Sequence, residues 1–319
     1  MPALKYPAAL VLLGWLALYD PIAIAWPQTL QPHELKYYQN MRRIVDMSPE
    51  ELRKAYPELK KLEPASSQAD LPQILEQVGK GVDALVRTLP NTVSKEEVQQ
   101  ERLGQDGSAH ERKARAFSYL ALARPDAVVP GINEFRTDDR GRALQPLAMK
   151  GMSLITIGFV SLPMHFHPQL QSGSAFLYLG NLTSKGRDLR IVAFAQRPEA
   201  AQATTQVAIG NRSGRLLVQG IARIDAKSYQ IVEMRVDLLA PRPDVGIQRQ
   251  TTEIRFGEVQ FRQHSEAFWL PREVVVTVDR EGYKFRNTHH YSQFKLFNVE
   301  AKEKDASSES TPQAPTEGK

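Results

Sequence analysis

The chain has 319 residues, of which 42% are hydrophobic and 24% charged, a net charge of +5 and no cysteine. This composition excludes a disordered chain and a disulfide-stapled miniature fold, and the missing thiols exclude thiolate nucleophiles, zinc–thiolate sites and a lipid-modified N-terminal cysteine. Its basic residues are interleaved with acids, as in Lys185-Gly186-Arg187-Asp188-Leu189-Arg190, so no nucleic-acid partner is expected.

The first element is an export signal. Lys5 precedes the apolar run Ala8–Leu18, and Ala23-Ile24-Ala25 puts small residues where a signal peptidase reads them. A transmembrane anchor is the alternative, but the run is shorter than the ~20 residues that span a bilayer, and Asp20-Pro21 interrupts it. The expectation is a signal peptide over 1–25, cleaved after Ala25, and a soluble mature protein in the periplasm or outside the cell.

Residues 26–69 read as an exposed helical N-terminal extension. Ser48-Pro49-Glu50-Glu51 supplies a capping oxygen, a proline for the first turn and acids for the positive helix end. Pro57 and Pro64 break the charged segment after it into short helices and a linker. From Asp70 the segment DLPQILEQVGKGVDALVRTL carries Leu71, Leu75, Val78, Val82, Leu85 and Leu89 at three- and four-residue steps, one apolar stripe of a helix. Gly79 and Gly81 weaken that helix, or let a sheet approach closely.

Beyond Val93 the period changes to two. Strands are expected over 97–103, 112–124, 132–137, 174–180, 188–195, 204–209, 214–225, 228–239, 249–263, 268–279 and 282–297. In YQIVEMRVDLL, Val232, Met234, Val236 and Leu238 face one way and Glu233, Arg235 and Asp237 the other, the mark of an antiparallel sheet covered on one side. In TEIRFGEVQF the apolar parity switches across Gly257, which implies a β-bulge. Asp138-Asp139-Arg140-Gly141 and Asp279-Arg280-Glu281-Gly282 read as hairpin turns. The stretch 151–170 fits a helix or a buried strand equally well. The tail 301–319 lacks large apolar residues and is expected to be disordered. The fold class is therefore α+β: a curved, mostly antiparallel sheet, an unclosed half-barrel over 70–300, with a helix on its concave face.

Few residues suggest chemistry. In an extended chain His165 and His167 would point the same way and could share a metal, with His264, His289 or His290 as a third ligand; a polar loop explains the pair without one. His289 and His290 point to opposite faces of a strand, as a half-buried histidine bonded to a backbone group would require. Gln171-Ser172-Gly173-Ser174-Ala175 is not a nucleophile elbow, and Gly79-Lys80-Gly81 lacks phosphate-loop spacing. Glu50-Glu51 and Glu96-Glu97 read as capping or surface acids. No cofactor is expected. What remains is apolar: Leu75, Val78, Val82, Leu85, Val232, Met234, Val236, Ile254, Phe256 and Phe285 would line a ligand cavity if the helix leaves room, and a packed core if it does not.

The segments GIARIDAKSYQIVEMRVDLL and FWLPREVVVTVDREGYKFRNTHHYSQF, after an exported helix, resemble the periplasmic lipoprotein-sorting proteins and their half-barrel relatives. NTVSKEEVQQERL, VAFAQRP, LLVQGIARID and LLAPRP resemble more closely a group of uncharacterised secreted bacterial proteins. The resemblance implies an unclosed barrel whose concave face shields acyl chains, with a helix as lid or plug. Together with the export signal, the lack of a catalytic constellation and the one-sided apolar strands, the leading expectation is a non-enzymatic periplasmic protein that binds a lipid or lipoprotein acyl chain; an envelope module that docks another protein, without a small ligand, is the alternative, and a histidine-dependent metal enzyme a weaker one.

Overall fold

The computed structural model describes residues 30–138, 141–142, 144, 156–200, 205–209, 212–262 and 264–297. The expected signal peptide and tail lie outside these residues.

Among the described residues three α-helices lie ahead of the long strands: α1 (Pro32–Leu35), α2 (Pro49–Ala55) and α3 (Leu71–Thr88). The start signal of α2 is a complete capping box, in which Glu51 N donates to Ser48 Oγ at 3.3 Å and Ser48 N donates to Glu51 Oε2 at 2.8 Å. Along α3, Ile74, Val78, Val82 and Val86 are buried at four-residue steps, while Leu71, Leu75 and Leu85 are only partly covered. Each such side chain contributes roughly 1.5–3 kcal/mol on full burial. That outweighs the about 1 kcal/mol by which each internal glycine weakens a helix.

The strands are β1 (Glu63–Pro64), β2 (Thr92–Leu103), β3 (Ala109–Arg124), β4 (Gly131–Thr137), β5 (Ser174–Ser184) and β6 (Arg187–Gln196). They continue with β7 (Thr205–Ile209), β8 (Arg212–Leu216), β9 (Val218–Asp225), β10 (Ile231–Leu238), β11 (Ile247–Gln260), β12 (Ala267–Arg280) and β13 (Tyr283–Leu296). Eleven form one sheet in the order β1-β5-β6-β9-β10-β11-β12-β13-β2-β3-β4, with β7 and β8 a separate pair. Every pairing in the large sheet is antiparallel, and the sheet ends on β1 and β4 without closing. Glu281 and Gly282 both have positive φ (51° and 82°), as a two-residue turn between twisted strands requires.

The bulge inferred at Gly257 sits across the ladder from it. Arg255 faces Glu273 and Phe256 faces Pro271, so Arg272 of β12 is the extra residue. A second irregularity, between Ile231 and Glu233, interrupts the alternation in β10. It carries Val232 to the opposite face from Met234 and Val236, against the expectation that all three share one side.

The sheet has two buried faces rather than one. The inner face packs on α3. On the outer face, Ile44, Leu52, Tyr56 and Leu59 of the N-terminal extension pack on Leu179, Ile191, Ile221 and Val232 of β5, β6, β9 and β10. The extension is a second layer, not an exposed preface: apolar residues recur at turn-like spacing between its prolines, and they cover the outer face of β5, β6, β9 and β10. None of the described helices is long and apolar enough to cross a membrane.

Candidate functional site on the inner face

The ambiguous stretch resolves here. Residues 156–173 form neither an α-helix nor a strand but a strap, with 3-10 turns at Leu162–Phe166 and Gln171–Gly173, laid along the inner face beside α3. Its Phe159, Val160, Met164 and Phe166 are buried in the inner core. Residues 151–155 lie outside the described residues.

Among the described residues the strap pairs with no strand; apart from Arg197 N, which donates to Gly173 O at 2.9 Å just past β6, its polar ties to the sheet and α3 run through side chains. At one end the carboxyl of Glu134 on β4 accepts from Val160 N and Ser161 N (both 2.9 Å), from Ser161 Oγ (2.7 Å) and from the hydroxyl of Tyr119. Burial raises the pKa of Glu134, against the lowering effect of those donors. Arg136 Nη2 donates to Thr156 O at 2.7 Å. At the other end Gln171 Nε2 donates to Phe166 O (2.8 Å) and Leu75 O (3.0 Å), and His167 Nε2 donates to Asp83 Oδ1 at 3.2 Å. Gly79 makes the close approach feasible. A Cβ there would meet Gln171 Nε2 at 2.9 Å and Phe166 O at 3.1 Å, so it is the strap, not the sheet, that needs the small residue.

Beneath the strap lies a buried polar cluster that sequence reasoning missed. Glu96 on β2, expected at the surface, is fully buried. Its carboxylate accepts Arg136 Nε and Nη2 (2.5 and 2.7 Å), His289 Nδ1 (2.8 Å) and the Tyr291 hydroxyl (2.7 Å). Burial pushes its pKa up, but the hydrogen bonds from Arg136 and His289 and the Arg136 charge outweigh that and hold it at about 2. An ionised Glu96 fixes the proton of His289 on Nδ1, leaving Nε2 as the bare nitrogen. Burial, opposed by Glu96, keeps the His289 pKa below its ordinary value. His289 thus bonds a carboxylate, not a backbone group, and is buried rather than half-buried. The available signal was parity: Glu96, Val98 and Gln100 alternate inward on β2, opposite the alternating Asn287, His289 and Tyr291 of β13.

The other candidate residues separate. Val78, Val82, Met234, Val236 and Ile254 are inner-core residues, with Leu75, Leu85 and Phe256 packed at its margin. Val232 is on the outer face, and Phe285 is half-buried beside Tyr283 outside both apolar clusters. His165 and His167 do not share a site, because the chain turns through a 3-10 helix there instead of extending. The His165 ring stacks on Phe194 at 5.1 Å, while His167 engages Asp83. Among the described residues no three His, Asp or Glu side chains are placed to hold a metal. His264 packs against Phe261 and Phe268, and His290 faces Glu273 at 3.7 Å.

The inner face is largely filled. A groove of about 120 Å3 runs between Val78, Val82 and Leu85 of α3 and Ile231, Phe256 and Phe268 at the sheet rim. A void of about 10 Å3 beside Tyr119 and Tyr291 has room for about one water.

Neither a family model nor a curated protein matches the chain. Solved structures similar to it include a putative outer membrane lipoprotein-sorting protein domain from Vibrio parahaemolyticus, at 10% identity and a TM-score of 0.42 over 73% of this chain and 95% of that one. A LolA superfamily protein from Nitrosomonas europaea is similar at 7% identity and a TM-score of 0.35, over 70% of this chain and 94% of that one. A DUF1329 family protein from Desulfovibrio piger is similar at 11% identity and a TM-score of 0.38, over 74% and 95%. The lipoprotein-sorting proteins that the sequence resembles are thus among these structures.

Proposed function

We propose that this chain is a non-enzymatic periplasmic binding protein for an apolar ligand, such as the acyl chain of a lipid or lipoprotein, taken up between α3 and the inner face of the sheet. The observation that carries this reading is the groove along α3, whose Val78, Val82, Leu85, Ile231, Phe256 and Phe268 continue the inner core, with Thr88, Gln230 and Glu266 as polar members of its lining. Ligand pockets typically enclose about 300–1,000 Å3. At about 120 Å3 the groove takes the end of one chain, and a longer insertion requires α3 or the strap to move outward.

The cysteine-free sequence permits a direct test. Ala84, exposed on the groove's margin, is replaced by Cys, labelled with an environment-sensitive dye and titrated with palmitate. A saturable blue shift near one equivalent, and lipid extracted from protein purified out of the envelope, are expected. No shift together with no extractable lipid would end the proposal. Export is checked by the N-terminus of the mature protein, expected at Trp26.

A second reading is favoured by one observation: the inner face is already occupied by Phe159, Val160, Met164 and Phe166. On this reading the chain is an envelope module that docks a protein partner. A negative palmitate titration with crosslinking to one envelope protein would select it.

A further inference from the structure

The chain has seven histidines, and three of them are buried where the strap meets the sheet and α3: His165, His167 and His289, at 4%, 1% and 0% exposure. His167 is satisfied on both ring nitrogens, donating from Nε2 to Asp83 and accepting Gln169 N at Nδ1. The other two are not. Among the described residues, Nε2 of His165 and Nε2 of His289 are buried without a hydrogen-bond partner. One belongs to the strap and stacks on Phe194 of β6. The other lies under the strap, edge-on to the strap's Phe159 with ring centres 5.1 Å apart.

We propose that the strap 156–173 is an acid-released clasp, in which proton uptake by His165 and His289 favours the state with the strap lifted from the inner face. A protonated imidazole donates from both nitrogens, and in the clasped state neither Nε2 has an acceptor among the described residues. A buried charge without a partner is costly, whereas lifting the strap returns both rings to water.

The surroundings of His289 set the balance. Glu96 on β2 favours its proton. Arg136 on β4 opposes it, and already pairs the Glu96 charge; His290, its neighbour on β13, opposes it more weakly. Tyr119 on β3 and Tyr291 on β13 complete the cluster, the residue opposite on β12 is Val274, and the strap contributes the apolar Phe159. Around His165 burial alone acts, and lowers its pKa to about 4. Both groups therefore bind protons more weakly when clasped than the ordinary value of 6.5. The released state takes up the extra protons as pH falls below that value, and release strengthens with acid by up to about tenfold per pH unit for each proton. Glu134 has the opposite sign, because its raised pKa means that its proton favours the clasped strap. The acid response comes from the imidazoles.

Hydrogen exchange of the full chain reads the clasp directly. The amides of Met164, His167 and Leu170 close 3-10 bonds within the strap, and those of β9 and β10 serve as an internal reference. After correction for intrinsic exchange, the strap's opening constant should rise about tenfold or more between pH 6.5 and 5.5 while the reference strands hold steady. The pair His165→Phe and His289→Gln should abolish that rise. If the pair does not fold, His165→Phe alone, which retains the stack on Phe194, should reduce the slope. Strap and reference amides responding alike, or an unchanged response in the variants, would overturn the proposal. No ligand enters the measurement, so its outcome is separate from that of the palmitate titration.

Discussion

Arg242 Nη2 lies 3.0 Å from Glu34 Oε1, joining two residues 208 positions apart through a fully buried guanidinium. The same guanidinium pairs with Asp244 (2.7 and 2.9 Å), the Tyr38 hydroxyl (3.2 Å) and the carbonyl of Arg215. This hub fastens the N-terminal extension to the β8 side of the fold. Arg242→Met leaves Glu34 buried without its cation, and removing one member of a buried pair costs about 3–5 kcal/mol. Urea unfolding should show that loss, with part of it restored by adding Glu34→Gln. A single-variant loss below about 1 kcal/mol would mean that the hub does not hold the extension.

Glu96 should govern acid stability. Its carboxyl sits at about 2 in the fold against 4.5 when free, so its contribution is complete above pH 4.5 and is lost as pH falls through about 2. The linkage amounts to roughly 3 kcal/mol. Urea unfolding at a series of pH values should give a flatter profile across this window for Glu96→Gln than for the parent. Parallel profiles would exclude Glu96 as the source.

The two glycines of α3 should behave oppositely. At Gly81 the nearest atom to an added Cβ is Gln230 Nε2 at 3.9 Å, so Gly81→Ala should raise stability by up to about 1 kcal/mol. At Gly79 the added methyl strikes Gln171 and the Phe166 carbonyl, so Gly79→Ala should lower stability and loosen the strap. Thermal melts of the two variants decide it, and equal shifts would contradict the close packing of strap on helix.

In the groove, Leu85→Glu puts a carboxylate into an apolar wall at a half-buried position. Palmitate affinity measured by calorimetry should fall at least about tenfold, in line with the cost of desolvating a charge, while the unfolding midpoint changes little. Undiminished affinity would place the ligand elsewhere.

Strand order aside, most of the β layer could be read from period-two alternation, because a strand buried on one face writes its orientation into every second residue. Where a bulge intervenes the rule slips, as at Val232 and opposite Gly257. The strap was illegible for a different reason: its turns impose no repeat, and apolar residues such as Phe159, Met164 and Phe166 are placed by packing alone. Glu96 was misjudged because a carboxylate beside Lys95 and Glu97 looks solvated. Its partner Arg136 is 40 residues away and is brought to it across β3. The start of α2 was legible to the residue, since a capping box is a purely local contact.

The bracing of the sheet by the N-terminal layer is lopsided. Among the described residues, strands β5, β6, β9 and β10 are clamped between two apolar slabs, whereas β13, β2 and β3 bear on packed side chains along one flank only. Bending stiffness follows packed thickness, so the doubly clad half acts as an anvil and the other as a leaf spring. Bending of the sheet itself is therefore easiest in the thin half, which also carries Glu96 and His289.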